Sequence, residues 1–435
     1  MYRTDHGLRG QANGEGSATR GLARAFDQLL PGDVPLRIDM YDGSSAGSPD
    51  AQHGMALNSP AAVSYLLSAP GELGLARAYV SGHLTITGNL YTVLRTLIPL
   101  LDTFGWRDAV RLLRELAPGH LHRFTPPEEE LVGRIRRGWF GLRHSKGRDS
   151  VAISRHYDVS NRFYEMVLGP SMAYTCACFP EEGATLEHAQ WHKFDLVCRK
   201  LGLEPGMRLL DVGCGWGGMA MHAAEHYGVQ ALGVTLSRQQ ANWAQKAVVA
   251  RGLADRVEVR HLDYRDVTET GFDAVSSIGL TEHIGARGLS AYFRFLSSRL
   301  RDGGRLLNHC ITRPTSTAPH RVGPFFDRYV FPDGELEGIG EITSVMQGNG
   351  FEIRHDENLR EHYARTLAGW CDNLDANWED AAAEAGVGRV RVWALYMAAS
   401  RLAFERHQLE LHQTLGVRAS ADGSSGMPLR PDWGV

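Results

Sequence analysis

The sequence predicts an α/β protein in which a smaller N-terminal α+β domain precedes a doubly wound parallel sheet. Two observations predict the sheet. Residues 207–244 read as an apolar strand, a glycine-rich turn and a helix with apolar residues at helical spacing. Beyond them, strands and helices alternate regularly to about residue 311. That order is typical of parallel sheets that bind ligands at the carboxyl ends of their strands.

Length and composition divide the chain into four segments. Its 435 residues, 43% of them hydrophobic, suffice for more than one domain. We expect residues 1–20, which are polar and rich in glycine, to be disordered. Residues 21–130 are predicted to form the α+β domain and residues 131–150 a basic linker. Residues 151–435 then form the larger α/β domain, which contains the residues suited to chemistry.

Hydrophobic periodicity and turn residues define the elements of the smaller domain. Ser59 followed by Pro60 predicts an N-cap and the first turn of a helix. The other predicted elements are a helix at 22–30, a strand at 36–40, a loop at 44–54, a helix at 72–81, a strand at 84–87 and helices at 90–104 and 106–117.

The elements of the larger domain are predicted in the same way. The first strand, at 209–212, leads into the glycine-rich turn, and a second strand ends at 233–237. Long helices over 361–416 contain many aromatic residues, which we interpret as core. The remaining predicted elements are strands at 256–261, 272–278 and 305–311 and a helix at 287–301.

Composition argues against several classes of protein. A net charge of −4 argues against a general nucleic-acid binder. The six cysteines include no C-x-x-C pair, and Cys176-x-Cys178 alone is at most half of a metal site, so we predict no metal. The N-terminus lacks the apolar core of a signal peptide, and no apolar run approaches bilayer length. We therefore expect a cytoplasmic protein, at most peripheral to the inner face of the cell membrane.

Six basic residues and no acidic residue occur between residues 131 and 148, beside the aromatic residues Trp139 and Phe140. This pattern suits the surface of an anionic membrane. A solvated interdomain linker explains it equally well. The basic residues are Arg134, Arg136, Arg137, Arg143, Lys146 and Arg148.

The glycine-rich turn is the strongest chemical motif. Asp211 precedes a G-x-G-x-G-G run at 213–218, where glycine permits positive φ and close approach of a ligand to the backbone. The spacing differs from the dinucleotide pattern G-x-G-x-x-G, and residues 211–237 contain no Lys or Arg to neutralise a phosphate. The turn resembles the nucleotide turn of class I S-adenosylmethionine methyltransferases. The alternative is a packing turn in another α/β protein.

Further sequence blocks extend this resemblance. They are HYDVSNRFY at 156–164, MAYTCACF at 172–179, the turn at 211–218, VTLS at 234–237, residues 277–285, YVFP at 329–332 and HYARTL at 362–367. In this order they resemble the cyclopropane-fatty-acyl-phospholipid synthase and mycolic acid methyltransferase family over roughly residues 150–415. The resemblance implies a Rossmann-like methyltransferase domain.

The resemblance also implies S-adenosylmethionine as the methyl donor. Glycines would admit its amino-acid end, hydroxyl groups at strand ends would hold the ribose, and the turn at 263–265 would frame the adenine. The predicted cofactor-binding residues are Tyr174, Thr175, Asp211, Gly213, Gly215, Gly217, Thr235, Leu236, Gln240, Asp263, Tyr264 and Arg265.

A bicarbonate ion is the second small molecule that the resemblance implies. Methyl transfer to an unactivated alkene creates a carbocation, which needs negative charge, aromatic faces and a weak base nearby. Taken singly, the residues assigned to the ion are also typical of a core histidine, a capping glutamate or a buried cysteine. The predicted catalytic residues are Cys176, Glu282, His309, Ile311 and Tyr363.

The implied activity is methylation of the cis double bond of unsaturated phospholipid acyl chains at the membrane surface. Cys178 and Thr281 replace bulkier family residues, and residues 308–310 read N-H-C in place of the more apolar L-H-T. Ser400 stands where many members carry a cysteine, which excludes covalent catalysis there. Because the pocket around the cation is reshaped, we favour a methylene-branched product, for a separate reductase to reduce, over a cyclopropane product.

Two other functions stay open at this point. A small-molecule N- or O-methyltransferase would not need the predicted catalytic residues. A catalytically inactive lipid-binding protein is disfavoured by the intact glycine-rich turn. Nucleic acid is not an expected partner, and the sequence leaves open whether the protein forms a homo-oligomer.

Overall fold

The computed structural model describes most of the chain, namely residues 21–27, 34–102, 125–130, 159–317, 322–331 and 334–433. Several features predicted from the sequence lie wholly or partly outside these ranges. They are the disordered segment 1–20, the ends of two predicted helices at 28–30 and 103–104, the helix at 106–117, the basic linker 131–150, residues 156–158 of the first family block and Pro332 of the YVFP block.

The helices and strands are numbered here in chain order through the described residues. The helices are α1 (Ala23–Asp27), α2 (Pro60–Ser68), α3 (Glu72–Val80), α4 (Leu90–Asp102), α5 (Asn161–Leu168), α6 (Leu186–Leu201), α7 (Gly218–Tyr227), α8 (Arg238–Ala250), α9 (Leu289–Arg299), α10 (Pro324–Tyr329), α11 (Ile339–Gly348), α12 (Arg360–Ala376), α13 (Trp378–Ala385) and α14 (Val387–Glu405). The strands are β1 (Arg37–Met40), β2 (Ser45–Gly47), β3 (Gly54–Leu57), β4 (Leu84–Thr87), β5 (Arg208–Val212), β6 (Gln230–Thr235), β7 (Val257–His261), β8 (Phe272–Ile278), β9 (Leu300–Thr312), β10 (Phe351–Asn358) and β11 (Glu410–Arg418).

The described chain divides into two compact units. The first contains the described residues up to 130 and two later segments, 323–330 and 386–402. The second contains the remaining described residues. The larger domain predicted at 151–435 is continuous in sequence, whereas in the structure these two segments interrupt it. The linker at 131–150 stays a prediction.

A four-stranded mixed sheet is the centre of the first unit. Its order is β2-β1-β3-β4, in which β1 is parallel to β3 and the other neighbours are antiparallel. The loop predicted at 44–54 was wrong in part, because it contains β2 and the start of β3. Strands this short are specified by their pairing with β1 more than by their own pattern. Ser59 precedes α2 as predicted, but its hydroxyl contacts His83 Nδ1 at 2.8 Å and makes no capping hydrogen bond.

A buried ion pair ties separate segments of the first unit together. Glu130, which is fully buried, accepts hydrogen bonds of 2.6 Å from both Nε and Nη2 of Arg77. Arg328 Nη1 and the Tyr329 hydroxyl, on α10, donate to the same carboxylate at 2.8 and 3.1 Å. Burial by itself would raise the pKa of Glu130, but the hydrogen bonds from the two arginines outweigh it and lower that pKa.

A seven-stranded sheet is the centre of the second unit. Its order is β10-β11-β9-β8-β5-β6-β7, and the five strands from β9 to β7 are mutually parallel. The doubly wound α/β fold predicted from the sequence is confirmed. Because the strand order reverses between β5 and β8, a crevice opens outside their carboxyl ends, where such sheets bind ligands.

The last strand corrects one sequence prediction. Helices were expected throughout 361–416, but residues 410–418 form β11, which runs antiparallel between β9 and β10. Residues 411–417 are all buried. A strand that is covered on both faces loses the alternation of apolar and polar residues by which strands are recognised.

Local capping explains where several helices of the second unit begin. The hydroxyls of Ser160, Thr185 and Ser237 each accept a hydrogen bond from a backbone N–H in the first turn of α5, α6 and α8. Helix α6 ends at Gly202 in the left-handed conformation. Among the helices that the structure describes, none combines the length and apolar character needed to cross a membrane.

We expect the substitution Glu130→Ala to destabilise the first unit strongly, because it leaves the buried guanidinium of Arg77 without its carboxylate. Removal of one partner from a buried ion pair costs roughly 3–5 kcal/mol. Urea unfolding of the full chain measures the change in the free energy of unfolding. Glu128→Ala, at an exposed position two residues away, is the control and should cost less than about 0.5 kcal/mol. Equal losses in the two variants would contradict this role for the ion pair.

Candidate active site

The glycine-rich turn forms one wall of a cleft at the carboxyl end of β5. Gly213 and Gly215 have φ angles of 76° and 54°, in the left-handed region that favours glycine. A Cβ atom placed on Gly215 would meet no atom within 4 Å. Since Gly215 lines the cleft, a side chain there would occupy space in which a ligand can approach the backbone.

Asp211, in β5, supplies an unpaired carboxylate oxygen to this cleft. Its Oδ1 accepts a 2.7 Å hydrogen bond from Ser276, whereas its buried Oδ2 has no partner among the described residues. Burial raises the pKa of Asp211 to about 6, although Ser276 and Lys193 act in the opposite direction. A buried acceptor without a partner is costly. The cationic amino end of S-adenosylmethionine would satisfy it.

The carboxyl end of β6 contributes a hydrogen-bonded pair. Thr235 Oγ1 donates to Gln240 Oε1 at 2.8 Å, and it accepts from the backbone N–H of Ser237 at 3.2 Å. Because the amide oxygen of Gln240 is engaged, its NH₂ group remains as the donor that faces a ligand. Both side chains are buried, so the pair is held in one arrangement suited to binding hydroxyl groups.

The turn after β7 forms the outer side of the cleft. Asp263 accepts hydrogen bonds from the backbone N–H, Nε and Nη2 of Arg265 at 2.9, 2.8 and 2.6 Å. Tyr264 lies between them, and its ring packs edge-on against Tyr292 and Phe295. The carboxylate of Asp263 therefore orders the turn, while Tyr264 and Arg265 line the cleft.

The structure places ten of the twelve predicted cofactor-binding residues on the walls of two adjoining recesses. The two others, Gly217 and Asp263, are not among the lining residues. A Cβ atom on Gly217 would lie 3.3 Å from Cβ of Ala244, so this glycine permits close packing of the turn against α8. The ten residues are Tyr174, Thr175, Asp211, Gly213, Gly215, Thr235, Leu236, Gln240, Tyr264 and Arg265.

The sequence prediction missed several residues of the cleft walls, Gly279 among them, and also Lys193, which contacts a wall residue. Gly279 follows β8 with φ 74°, and a Cβ atom there would lie 3.0 Å from Cγ2 of Thr175. Gly279 could have been predicted from the sequence, because it directly follows a buried strand, where ligands bind in sheets of this kind. Lys193 is fully buried on α6 and donates to Thr175 Oγ1 at 2.8 Å. Burial lowers the pKa of Lys193 to about 8. No comparable sequence pattern indicates that Lys193, on an apolar helix face, contacts the cleft.

Glu282 lies in a short helical turn, Thr281–His283, after β8. Its Oε1 accepts a 2.8 Å hydrogen bond from the backbone N–H of Ile311, and its buried Oε2 has no partner in the part of the chain that the structure describes. Burial raises the pKa of Glu282 to about 7, in spite of the opposing hydrogen bond from Ile311. The carboxyl group can therefore gain or lose a proton near neutral pH.

His309, on β9, is buried and neutral. Its pKa is far below the ordinary value because of burial and the nearby charges of Lys193 and Lys200. Nδ1 lies 3.1 Å from Nε2 of Gln413, whereas its own Nε2 has no partner among the described residues. The backbone carbonyl of His309 accepts a 2.8 Å hydrogen bond from Gly279, which connects it to the wall of the cofactor cleft.

Cys176 and Tyr363 are linked through the backbone of Leu359, which precedes α12. The thiol of Cys176 lies 3.8 Å from the carbonyl oxygen of Leu359, to which the backbone N–H of Tyr363 also donates. Leu359 in turn donates to the carbonyl of Leu411, which is opposite Ile311 in the sheet. All five predicted catalytic residues thus lie on β9 or are connected by hydrogen bonds to β9 or to its neighbour β11. Burial raises the pKa of Cys176 well above its ordinary value, so it is a thiol.

Aromatic rings run from the cofactor cleft to the catalytic residues. The ring centroids of Trp216 and Tyr164 are 4.7 Å apart, and those of Tyr164 and Tyr174 are 5.9 Å apart. Trp370 lies 5.4 Å from Tyr174 and 6.1 Å from Tyr363. Ring faces stabilise a nearby cation through their quadrupoles. Their arrangement suits a reaction in which positive charge develops beyond the methyl donor.

The residues that depart from the family pattern form buried polar contacts. Thr281 Oγ1 donates to Asn308 Oδ1 at 2.7 Å, and Asn308 Nδ2 contacts Cys310 Sγ at 3.3 Å. Cys178 accepts a 3.7 Å contact from Nε2 of Gln413. Thr281 is adjacent to Glu282 in the chain, and Asn308 and Cys310 flank His309. Cys178 contacts Gln413, which is opposite His309 in the sheet.

The unpaired groups fit an oxyanion such as bicarbonate. Its hydroxyl would donate to Glu282 Oε2, and its oxygens would accept from a ring N–H of His309. Leaving both groups buried and unpaired would cost roughly 1–3 kcal/mol each. In the ranges described, no group of three or more His, Cys, Asp or Glu side chains is placed to hold a metal ion.

The space in front of Gly215 provides a test of the cofactor cleft. We expect Gly215→Val to abolish binding of S-adenosylhomocysteine, measured by calorimetry, because the branched side chain would fill that space. Gly252→Val is the control. Gly252 also has positive φ and no atom within 4 Å of an added Cβ, but it lies in an exposed turn after α8. Equal affinity in the two folded variants would reject the cleft as the cofactor site.

Comparison with known proteins identifies the family of the chain. The chain matches the family model of mycolic acid cyclopropane synthetase over residues 144–414. A protein of Mycobacterium tuberculosis described as a probable fatty acid methyltransferase is 55% identical over 408 residues, which cover 92% of this chain and 95% of that protein.

Two further relatives connect the family to a ligand and to an activity. The cyclopropane-fatty-acyl-phospholipid synthase of Escherichia coli K12 is 33% identical over 279 residues, covering 64% of this chain and 71% of that protein. A mycolic acid cyclopropane synthase solved in complex with S-adenosylhomocysteine and CTAB is 32% identical with a TM-score of 0.58, covering 62% of this chain and 98% of that chain. The chain belongs to the cyclopropane synthase family of S-adenosylmethionine-dependent lipid methyltransferases.

Proposed function

We propose that this protein methylates the cis double bond of unsaturated phospholipid acyl chains, with bicarbonate as a bound base. The observation that carries the proposal is that buried Glu282 Oε2 and His309 Nε2 both lack a partner among the described residues. Neighbours of Glu282 line the cofactor cleft, and the backbone of His309 is hydrogen-bonded to its wall at Gly279. A methyltransferase for amines or hydroxyl groups has no need of an oxyanion at this place. The phospholipid substrate is supported by the similarity to the cyclopropane-fatty-acyl-phospholipid synthase of Escherichia coli.

The chemistry explains why these groups are needed. S-adenosylmethionine supplies a methyl group on a sulfonium. When the alkene's electron pair forms a bond to that methyl carbon, the carbon–sulfur bond breaks and positive charge appears on the second alkene carbon. The rings of Tyr174, Trp370 and Tyr363 stabilise such a charge, each by roughly 0.5–2 kcal/mol. The reaction then ends when a proton leaves.

The chain's own groups would hold the base that takes this proton. Bound bicarbonate would supply a weak base, which suffices because a proton next to a carbocation is very acidic. His309 would donate to the ion, and Glu282 would accept from its hydroxyl. Because the pKa of Glu282 is about 7, its carboxyl group can hold a proton near neutral pH. The Cys176 thiol is uncharged because burial raises its pKa, so it would place no negative charge beside the ion.

We further propose that the product is methylene-branched. Loss of a proton from the new methyl group with ring closure gives a cyclopropane, whereas a prior hydride shift moves the cation and leads to an exocyclic methylene. Cys178 and Thr281 stand where the family carries larger rings, and a loss of about 1.4 kcal/mol of stabilisation redirects the partition tenfold. A separate reductase would be needed to convert the methylene group into a methyl branch.

The test is expression in a host that lacks such an enzyme, grown with methyl-labelled methionine. We expect mass spectrometry to find the label in phospholipid acyl chains, and proton NMR to show vinyl signals of a methylene group. High-field cyclopropane signals would reject the methylene product alone. Label confined to small molecules would reject the lipid substrate.

The control for this test is Glu282→Gln, which keeps the shape of the side chain but removes the carboxylate. We expect S-adenosylhomocysteine affinity to be retained and turnover to fall by roughly a hundredfold, the scale of a lost acid–base contact. Removing bicarbonate from the wild-type enzyme should slow it similarly. Turnover that is indifferent to both changes would remove the anion from the mechanism.

We also propose that the enzyme acts at the cytoplasmic face of the membrane, through the basic segment at 131–148. Each Lys or Arg near an anionic surface contributes about 1 kcal/mol. Reversing three of its arginines should therefore weaken binding to anionic vesicles in a sedimentation assay, as should added salt, which screens charges beyond about 8–10 Å. The substitutions are Arg136→Glu, Arg137→Glu and Arg143→Glu.

The control makes the same change of charge in another part of the chain. Its positions are exposed in the second unit, and vesicle binding should change little. Equal vesicle binding by both triple variants and the wild type would reject the membrane role of the basic segment and favour its interpretation as a linker. The control substitutions are Arg251→Glu, Arg256→Glu and Arg294→Glu.

A further inference from the structure

His309 belongs to a row of side chains that crosses three strands of the second sheet. Gln413 on β11 is directly opposite His309 on β9, and Glu357 on β10 is directly opposite Gln413. Directly opposed residues on neighbouring strands project from the same face of a sheet. Lys200, from α6, approaches this row from outside the sheet and is fully buried.

Lys200 determines how the amide of Gln413 is oriented. Its Nζ donates to Gln413 Oε1 at 2.8 Å and forms an ion pair with Glu357. An ammonium group has donors only, so the atom that faces it must be the amide oxygen. The opposite orientation would set an NH₂ group against the ammonium. The NH₂ group of Gln413 therefore faces His309 and Cys178.

This orientation decides which nitrogen of His309 carries the proton. The NH₂ group lies 3.1 Å from Nδ1, and since it is a donor, Nδ1 must accept. A neutral imidazole has one N–H. We propose that Lys200 and Gln413 are positioning residues that hold His309 with its proton on Nε2, the buried nitrogen that has no partner among the described residues.

The second hydrogen of the amide strengthens the arrangement. Gln413 Nε2 lies 3.7 Å from the sulfur of Cys178, which accepts from it. Burial raises the pKa of the Cys178 thiol to about 12, so it stays uncharged. All polar atoms of the buried Gln413 side chain are thus engaged, and the amide has no alternative partner that would favour turning it. Cys178, which replaces a larger family residue, takes part in fixing the histidine.

The inference rests on the proposed function in one respect only, which is that the N–H of His309 serves the anion site. The state of the imidazole can be observed without any substrate. The full chain is labelled with ¹⁵N-histidine, saturated with S-adenosylhomocysteine and studied by two-bond ¹H–¹⁵N correlation NMR. Comparison with His309→Gln identifies the signals of His309.

We expect the wild-type spectrum to show His309 protonated at Nε2 and unprotonated at Nδ1. In Gln413→Glu, the carboxylate that faces Nδ1 can only accept, so Nδ1 should become protonated. The control Gln408→Glu makes the same substitution at an exposed position before β11 and should leave the spectrum unchanged. A wild-type ring protonated at Nδ1, or a Gln413→Glu ring that stays unprotonated there, would overturn the inference.

A second variant covers the case in which Gln413→Glu does not fold. Lys200→Met combined with Glu357→Gln removes the ion pair as a unit and frees the amide to turn, so both tautomers of His309 should be present. A spectrum identical to wild type would overturn the role of Lys200. In either folded variant we expect kcat to fall by roughly ten- to a hundredfold, the scale reported for groups that orient a site residue, with KM unchanged.

The spectra and the lipid assay separate this inference from the proposed function. The expected tautomers in a protein that leaves phospholipids unmodified would support the inference and reject the substrate. Methylated lipids produced by a wild-type enzyme whose His309 carries its proton on Nδ1 would support the function and reject the positioning role.

Discussion

The burial of ionisable groups at the carboxyl edge of the parallel strands is the constraint on which the site depends. Asp211, Glu282 and His309 are each held on one side by a neighbouring strand or its backbone. Each also has one buried polar atom that no group in the described ranges satisfies. Such atoms cost free energy unless a ligand satisfies them. The fold therefore holds buried polar atoms whose hydrogen bonds would be completed by bound ligands.

Two buried lysines set the electrostatics of the same region. Burial, with the added effect of the charges of Lys193 and Lys200, lowers the pKa of His309, so its ring is neutral and keeps one N–H donor. Lys200 is balanced by Glu357, and the charge of Lys193 is opposed by nearby Asp211. A positive field at this place favours a bound anion. In the proposed reaction, that anion and the ring faces would offset the charge that develops on the lipid.

The first unit depends on a different kind of burial. The carboxylate of Glu130 is surrounded by Arg77, Arg328 and Tyr329, so its hydrogen-bonding capacity is used within the protein. A satisfied network of this kind ties distant segments of the chain together. At the site of the second unit, by contrast, Asp211, Glu282 and His309 each have a buried polar atom that lacks a partner among the described residues.

The sequence by itself determined the α/β fold and the glycine-rich turn, and through the family resemblance it identified ten residues that line the cofactor cleft. The fold and the turn follow from local pattern, because strand ends and glycine turns of a doubly wound sheet bring their side chains to one edge. Only the tertiary structure decided that β11 is a strand, that segments 323–330 and 386–402 belong to the first unit, and that Lys193, Lys200 and Gln413 adjoin the site. The physical reason is that these features depend on pairing and burial between residues distant in the chain. Strand register places Gln413 opposite His309. The hydrophobic periodicity of helix α6 does not indicate that its buried Lys200 will contact Gln413.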